Sequence, residues 1–128
     1  MPSRLIHRLA TYVAVAGGTL SICFGLNAFI NPASALSFFE FALPHSSAAE
    51  HKLVTSLLAV YGARDVFTGV ATYATAYYGN RKALGWVTMA GGAVAAVDGW
   101  VCYRANGGEM NHWGYAPMLG VVGAVLLA

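Results

Sequence analysis

The chain has 128 residues, 58% of them hydrophobic and 9% charged, with a formal net charge of +2 and a mean hydropathy of +0.59. A soluble domain carries roughly a quarter of its residues charged, so this composition excludes a water-soluble globular protein and indicates a single membrane domain. Arg81 and Lys82 form the longest basic run, which excludes a phosphate-binding stripe of the kind nucleic acid needs.

The first apolar run covers residues 9–30, behind Arg4, His7 and Arg8, and stops at Asn31 and Pro32, where proline ends a helix. It exceeds the apolar core of a signal peptide, about 7 to 15 residues, so a retained membrane anchor is expected over residues 8–30. Residues 33–44 are apolar, carry Glu40 and are too short to span, which predicts a short helix in the headgroup layer. Ser46 or Ser47 then offers an N-cap with Glu50 in the first turn, opening a second spanning helix over residues 52–78. Gly79, Asn80, Arg81 and Lys82 read as a tight turn. A third helix over residues 83–103 carries Asp98, a polar loop follows, and a fourth over residues 112–128 is only just long enough to cross.

The expected fold is therefore all-α: a four-transmembrane-helix bundle with a short interfacial helix between the first two spans. Arg4, Arg8, Arg81 and Lys82 on one side outnumber Lys52 and Arg104 on the other, which predicts a multi-pass protein with both termini cytoplasmic, in the endoplasmic reticulum if eukaryotic. Gly17 and Gly18, Gly91, Gly92 and Ala95, and Gly120 with Ala124 are small-residue patches for close helix approach, within the bundle or in a homo-oligomer. Cys23 and Cys102 lie on different apolar segments without C-x-x-C spacing and are expected to be buried, inert fillers. His7, His45 and His51 lack mutual ligand spacing, so no metal and no other cofactor is expected.

Chemistry concentrates in the polar residues of the spans. An ionised side chain facing lipid at mid-helix costs at least about 2.5 kcal/mol, so Arg64 and Asp65 must face protein or water. Tyr61, Thr68, Gly69 and Thr72 share their helix face at spacings of three or four and extend an inward polar stripe. Antiparallel threading brings Asp98, Asn27 and His112 into the same half of the bundle, with Trp100, Tyr103, Trp113 and Tyr115 ringing that level as interfacial aromatics. One arginine and two aspartates leave an excess negative charge that a low-dielectric site resists, so one carboxyl is expected to hold a proton. That division would make one aspartate a general acid and the other, paired to Arg64, a general base, without saying which is which. The plain alternative is an interhelical ion pair that only locks the bundle.

Tyr61-Gly62-Ala63-Arg64-Asp65 followed by Gly69, with Asp98-Gly99 late in the third span and His112 opening the fourth, resembles an uncharacterised family of small DoxX-like four-helix membrane proteins. The resemblance covers most of the chain and implies the fold. Some members look like tailoring proteins in fungal natural-product pathways, which implies a lipophilic small-molecule substrate. A second likeness is chemical: limonene-epoxide-hydrolase-like enzymes set Asp, Arg and Asp in an apolar pocket on an unrelated scaffold.

The expected function is acid-base chemistry on a lipophilic small molecule partitioned among membrane lipids, epoxide hydrolysis or cyclisation in natural-product biosynthesis. Asp65, Asp98 and Arg64 would be catalytic, and Tyr61, Asn27, His112, Thr68 and Trp100 would bind substrate. Proton-coupled or small-solute transport by an oligomer and a structural role in a membrane complex are the alternatives. A cavity, a pore or a dry seam around the three charges would respectively favour each reading.

Overall fold

A computed structural model describes residues 2–128. Helix α1 covers Pro2–Ile30, α2 Pro32–Ser37, α3 Ala48–Tyr77, α4 Arg81–Ala105, α5 Met110–Trp113 and α6 Ala116–Leu127, with no strand among the described residues.

Each helix stops for a local reason. Pro32 disfavours a helical Asn31, and Asn31 ends α1 while its side chain accepts a hydrogen bond from the Ser34 amide to cap α2. Where a headgroup helix is expected over residues 33–44 the chain forms the shorter α2, followed by a turn in which Glu40 adopts a φ of 57°. Ser47 caps α3 through the Glu50 amide at 3.3 Å. Gly79, at a φ of 68°, turns the chain, and Asn80 caps α4 through the Ala83 amide. Gly107, at a φ of 85°, sends its amide back to the Cys102 carbonyl and terminates α4.

Helices α1, α3 and α4 are each long and apolar enough to cross a membrane. Against the expected 8–30, 52–78 and 83–103, α1 begins earlier and ends where expected, α3 begins earlier and stops one residue sooner, and α4 extends further at both ends. The expected single helix over residues 112–128 is corrected: the chain breaks at Gly114 and Tyr115 into α5 and α6. Pro117 is the cause, since it has no amide for the Trp113 carbonyl and its ring crowds that carbonyl. The 12 residues of α6 rise about 18 Å, less than the roughly 30 Å of a hydrocarbon core.

Packing follows two antiparallel pairs built on facing glycines. In the α1–α3 pair Gly25 meets Gly62 and Gly18 meets Gly69; a Cβ on Gly62 would stand 2.7 Å from the Gly25 carbonyl oxygen. In the α4–α6 pair Gly85 faces Gly123, and a Cβ on Gly92 would stand 3.1 Å from the Ala116 carbonyl oxygen. Backbones that approach this closely leave space for hydrogen only, which is how helices associate without a hydrophobic driving force in lipid. Large apolar side chains such as Val60, Phe67, Trp86 and Val121 point outward and are more than half exposed, as a lipid-facing surface requires. Cys102 is fully buried, as expected of a filler, whereas Cys23 is exposed on the outer face of α1, which corrects the expectation for that residue.

Candidate functional site

Where the two tight pairs meet, the bundle is looser. A partly open cavity of about 130 Å³ lies between them, bounded by Gly17, Gly18, Ser21 and Phe24 of α1, Tyr61, Asp65, Thr68 and Thr72 of α3, Thr88, Gly91, Ala95 and Asp98 of α4, and Tyr115, Met118 and Leu119 at the start of α6. The pairs are close because they are glycine to glycine, and Phe24, Tyr61, Tyr115 and Met118 are among the large side chains that wall the gap between them.

The two aspartates of the charged cluster sit on this wall, and Arg64 bridges them. Nη1 and Nη2 of Arg64 donate to Oδ1 and Oδ2 of Asp98 at 3.2 and 2.9 Å, and Nε donates to Oδ1 of Asp65 at 3.2 Å. One guanidinium therefore holds the α3 carboxylate side-on and the α4 carboxylate in a two-pronged contact, an arrangement that a planar fork provides and an ammonium does not. The ring of Tyr61 lies under the guanidinium at 4.7 Å and is itself packed edge-on by Phe39 at 5.3 Å. Asp65 is 9% exposed, and Tyr61, Asp65 and Asp98 all line the cavity. Thr68 lines it too, while its hydroxyl donates to the Arg64 carbonyl at 2.9 Å. Among the described residues no group of three or more His, Cys, Asp and Glu side chains is arranged to hold a metal ion.

A family model described as a domain of unknown function, DUF4267, matches residues 18–126. The chain belongs to that family. The matched stretch of this DUF4267 chain contains Tyr61, Asp65, Asp98 and Tyr115 of the cavity wall, together with the bridging Arg64. Comparison with curated proteins and with solved structures returns no match.

The structure brings Arg64, Asp65, Asp98, Tyr61 and Thr68 together as one cluster, and it places four other residues of the expected cluster and stripe elsewhere. Asn27 is a structural clip: its amide donates to the Ser34 hydroxyl at 3.1 Å, tying α1 to α2, and it stays off the cavity wall. His112 is 3% exposed and equally occupied, with Nε2 at 3.2 Å from the Phe38 carbonyl, Nδ1 at 3.4 Å from the Tyr115 hydroxyl and its ring 4.7 Å from Phe39. Trp100 faces outward, 53% exposed, with the Arg104 guanidinium 5.5 Å above its ring. Gly69, expected on the polar stripe, faces α1 instead.

Tyr115 is the residue that sequence reasoning misplaced in the other direction: expected as an interfacial aromatic, it forms part of the cavity wall. Its spacing with Met118 and Leu119, three and four residues on, was the available signal. Trp113 is held in place rather than free at an interface. Its indole crosses α4 at Gly99, donates to the Ala96 carbonyl at 3.0 Å and stacks on Tyr103.

Proposed function

We propose that this chain is a membrane-embedded enzyme that opens the epoxide of a lipophilic small molecule by acid-base chemistry, with Asp65 as acid, Asp98 as base and Arg64 orienting both. The observation that carries the reading is that both carboxylates, bridged by one guanidinium, border an apolar-walled cavity instead of filling a packed seam.

The roles follow from how each carboxyl is held. Asp98 meets Arg64 through both oxygens, the contact of an ionised carboxylate, whereas Asp65 is bonded to Arg64 through Oδ1 and keeps Oδ2 for a proton. One cation between two acids balances only one negative charge, so a proton on Asp65 brings the cluster to neutrality. As the epoxide carbon–oxygen bond breaks, its oxygen takes the proton from Asp65. Water attacks the same carbon and passes a proton to Asp98. The product is a diol, and return of the proton from Asp98 to Asp65 restores the site. A hydroxyl of the substrate in place of water would give a cyclic ether. Tyr61 and Thr68 border the reacting end.

A cavity of about 150 Å³ is known to accept benzene, so the 130 Å³ here suits the reacting end of a substrate, with any longer apolar tail leaving through the open side into lipid. The reading assumes a membrane setting in which α5 and α6 together make the fourth crossing and both termini face the cytoplasm, and it keeps natural-product tailoring as the biological context.

The test is product formation in heavy-oxygen water. Membranes containing the chain are expected to convert a six-carbon terminal epoxide to a diol with one heavy oxygen, and membranes with equal amounts of the Asp65→Asn, Asp98→Asn double variant are expected to give only the uncatalysed background. Diol at the same rate from both would remove the reading.

A further inference from the structure

We infer that the chain has a second, independent site, at the far end of the bundle from α2, that binds the phosphodiester of an anionic glycerophospholipid. A cleft of about 270 Å³ opens between the N-terminal part of α1, the end of α3 and the start of α4, and three of its lining side chains are His7, Arg8 and Arg81. No acidic residue borders it. Among the described residues the ion pairs are those of Arg64, so the guanidinium groups of Arg8 and Arg81 face the cleft without a carboxylate. Arg81 is held in position, its Nη1 donating to the Leu126 carbonyl and lying 3.4 Å from Nε2 of His7. That tether leaves Nη2 and Nε of the same fork for an incoming oxyanion.

Depth identifies the source of the phosphate. Tyr77 and Tyr78, at the end of α3 beside the cleft, are 85% and 81% exposed and stacked edge to face at 5.2 Å, the placement of aromatics at a membrane–water boundary. Headgroups lie at that level. Leu9 and Tyr12, both more than half exposed, continue down α1 from the cleft and offer an apolar track for the acyl chains. Basic pockets between spanning helices at this depth suit lipid headgroups.

The experiment is native mass spectrometry of the full chain released from nanodiscs of equal phosphatidylcholine and phosphatidylglycerol. One phosphatidylglycerol per chain is expected to be retained in preference to phosphatidylcholine. Arg8→Gln and Arg81→Gln should each weaken its retention about fivefold, while Arg4→Gln combined with Lys82→Gln, which removes two charges from the same end outside the cleft, should leave retention unchanged. Arg8→Gln guards against a folding artefact, because Arg8 is exposed and has no hydrogen bond to another described side chain. Equal losses in the cleft and control variants would reduce the effect to diffuse surface charge and overturn the proposal. So would displacement of the lipid by millimolar inorganic phosphate, which would make free phosphate the ligand.

Discussion

Arg64 is the residue on which the central cluster depends. Replacing it by leucine leaves two carboxyls in an apolar wall without their shared cation, and the chain is expected to lose about 2 kcal/mol, between the values for exposed and buried pairs. Adding Asp98→Asn should recover more than half of that loss, because the uncompensated charge is gone. Denaturant unfolding in a mild detergent measures both; a double variant as unstable as the sum of the single losses would contradict the pairing. Tyr61→Phe keeps the ring under the guanidinium and should be neutral for stability, whereas Tyr61→Leu should cost about 1 kcal/mol. These residues were legible in the sequence because a charge inside an apolar span must find a partner, which forced Arg64, Asp65 and Asp98 together. Asn27 and His112 were misread for a related reason: a polar residue at a helix end can satisfy a backbone carbonyl or a neighbouring hydroxyl as well as a ligand, and spacing does not distinguish them.

At the scale of helices, glycine position decides the outcome of substitution. A Cβ at Gly62 meets the Gly25 carbonyl, and neither backbone can yield, so Gly62→Ala is expected to cost about 1 to 3 kcal/mol. Gly120 lies within α6 with nothing near its missing Cβ, and Gly120→Ala should stabilise by about 0.5 to 1 kcal/mol. The same unfolding assay separates them, and the same sign for both would contradict the packing. The three long helices could be read from apolar length, from the cap at Ser47 and from the turn at residues 79–82, where Asn80 caps α4. The pairing of α1 with α3 could not, because Gly25, Gly62 and Gly69 are one small residue type scattered through apolar helices, and only the antiparallel register makes Gly18 meet Gly69 and Gly25 meet Gly62. The break before α6 was legible in principle from Pro117, whose lack of an amide outweighs an apolar run that otherwise looks continuous.

The whole molecule is two glycine-packed pairs with a cavity left between them and the two aspartates of the charged cluster on its wall. That division makes the cavity separable from the fold. A Cβ on Gly91 would stand 3.7 Å from Thr68, an ordinary contact, so Gly91→Leu should extend into the space, leave stability unchanged or raised by up to about 1 kcal/mol, and abolish turnover. Turnover unaffected by that substitution would place the chemistry elsewhere. The most direct test of the central claim is the single-turnover rate of epoxide opening by Asp65→Asn and Asp98→Asn, each compared with the unaltered chain in the same membranes. A loss of at least about a hundredfold in each, with the epoxide still bound, is expected of an acid and a base that act on the substrate; equal rates in all three chains would contradict it.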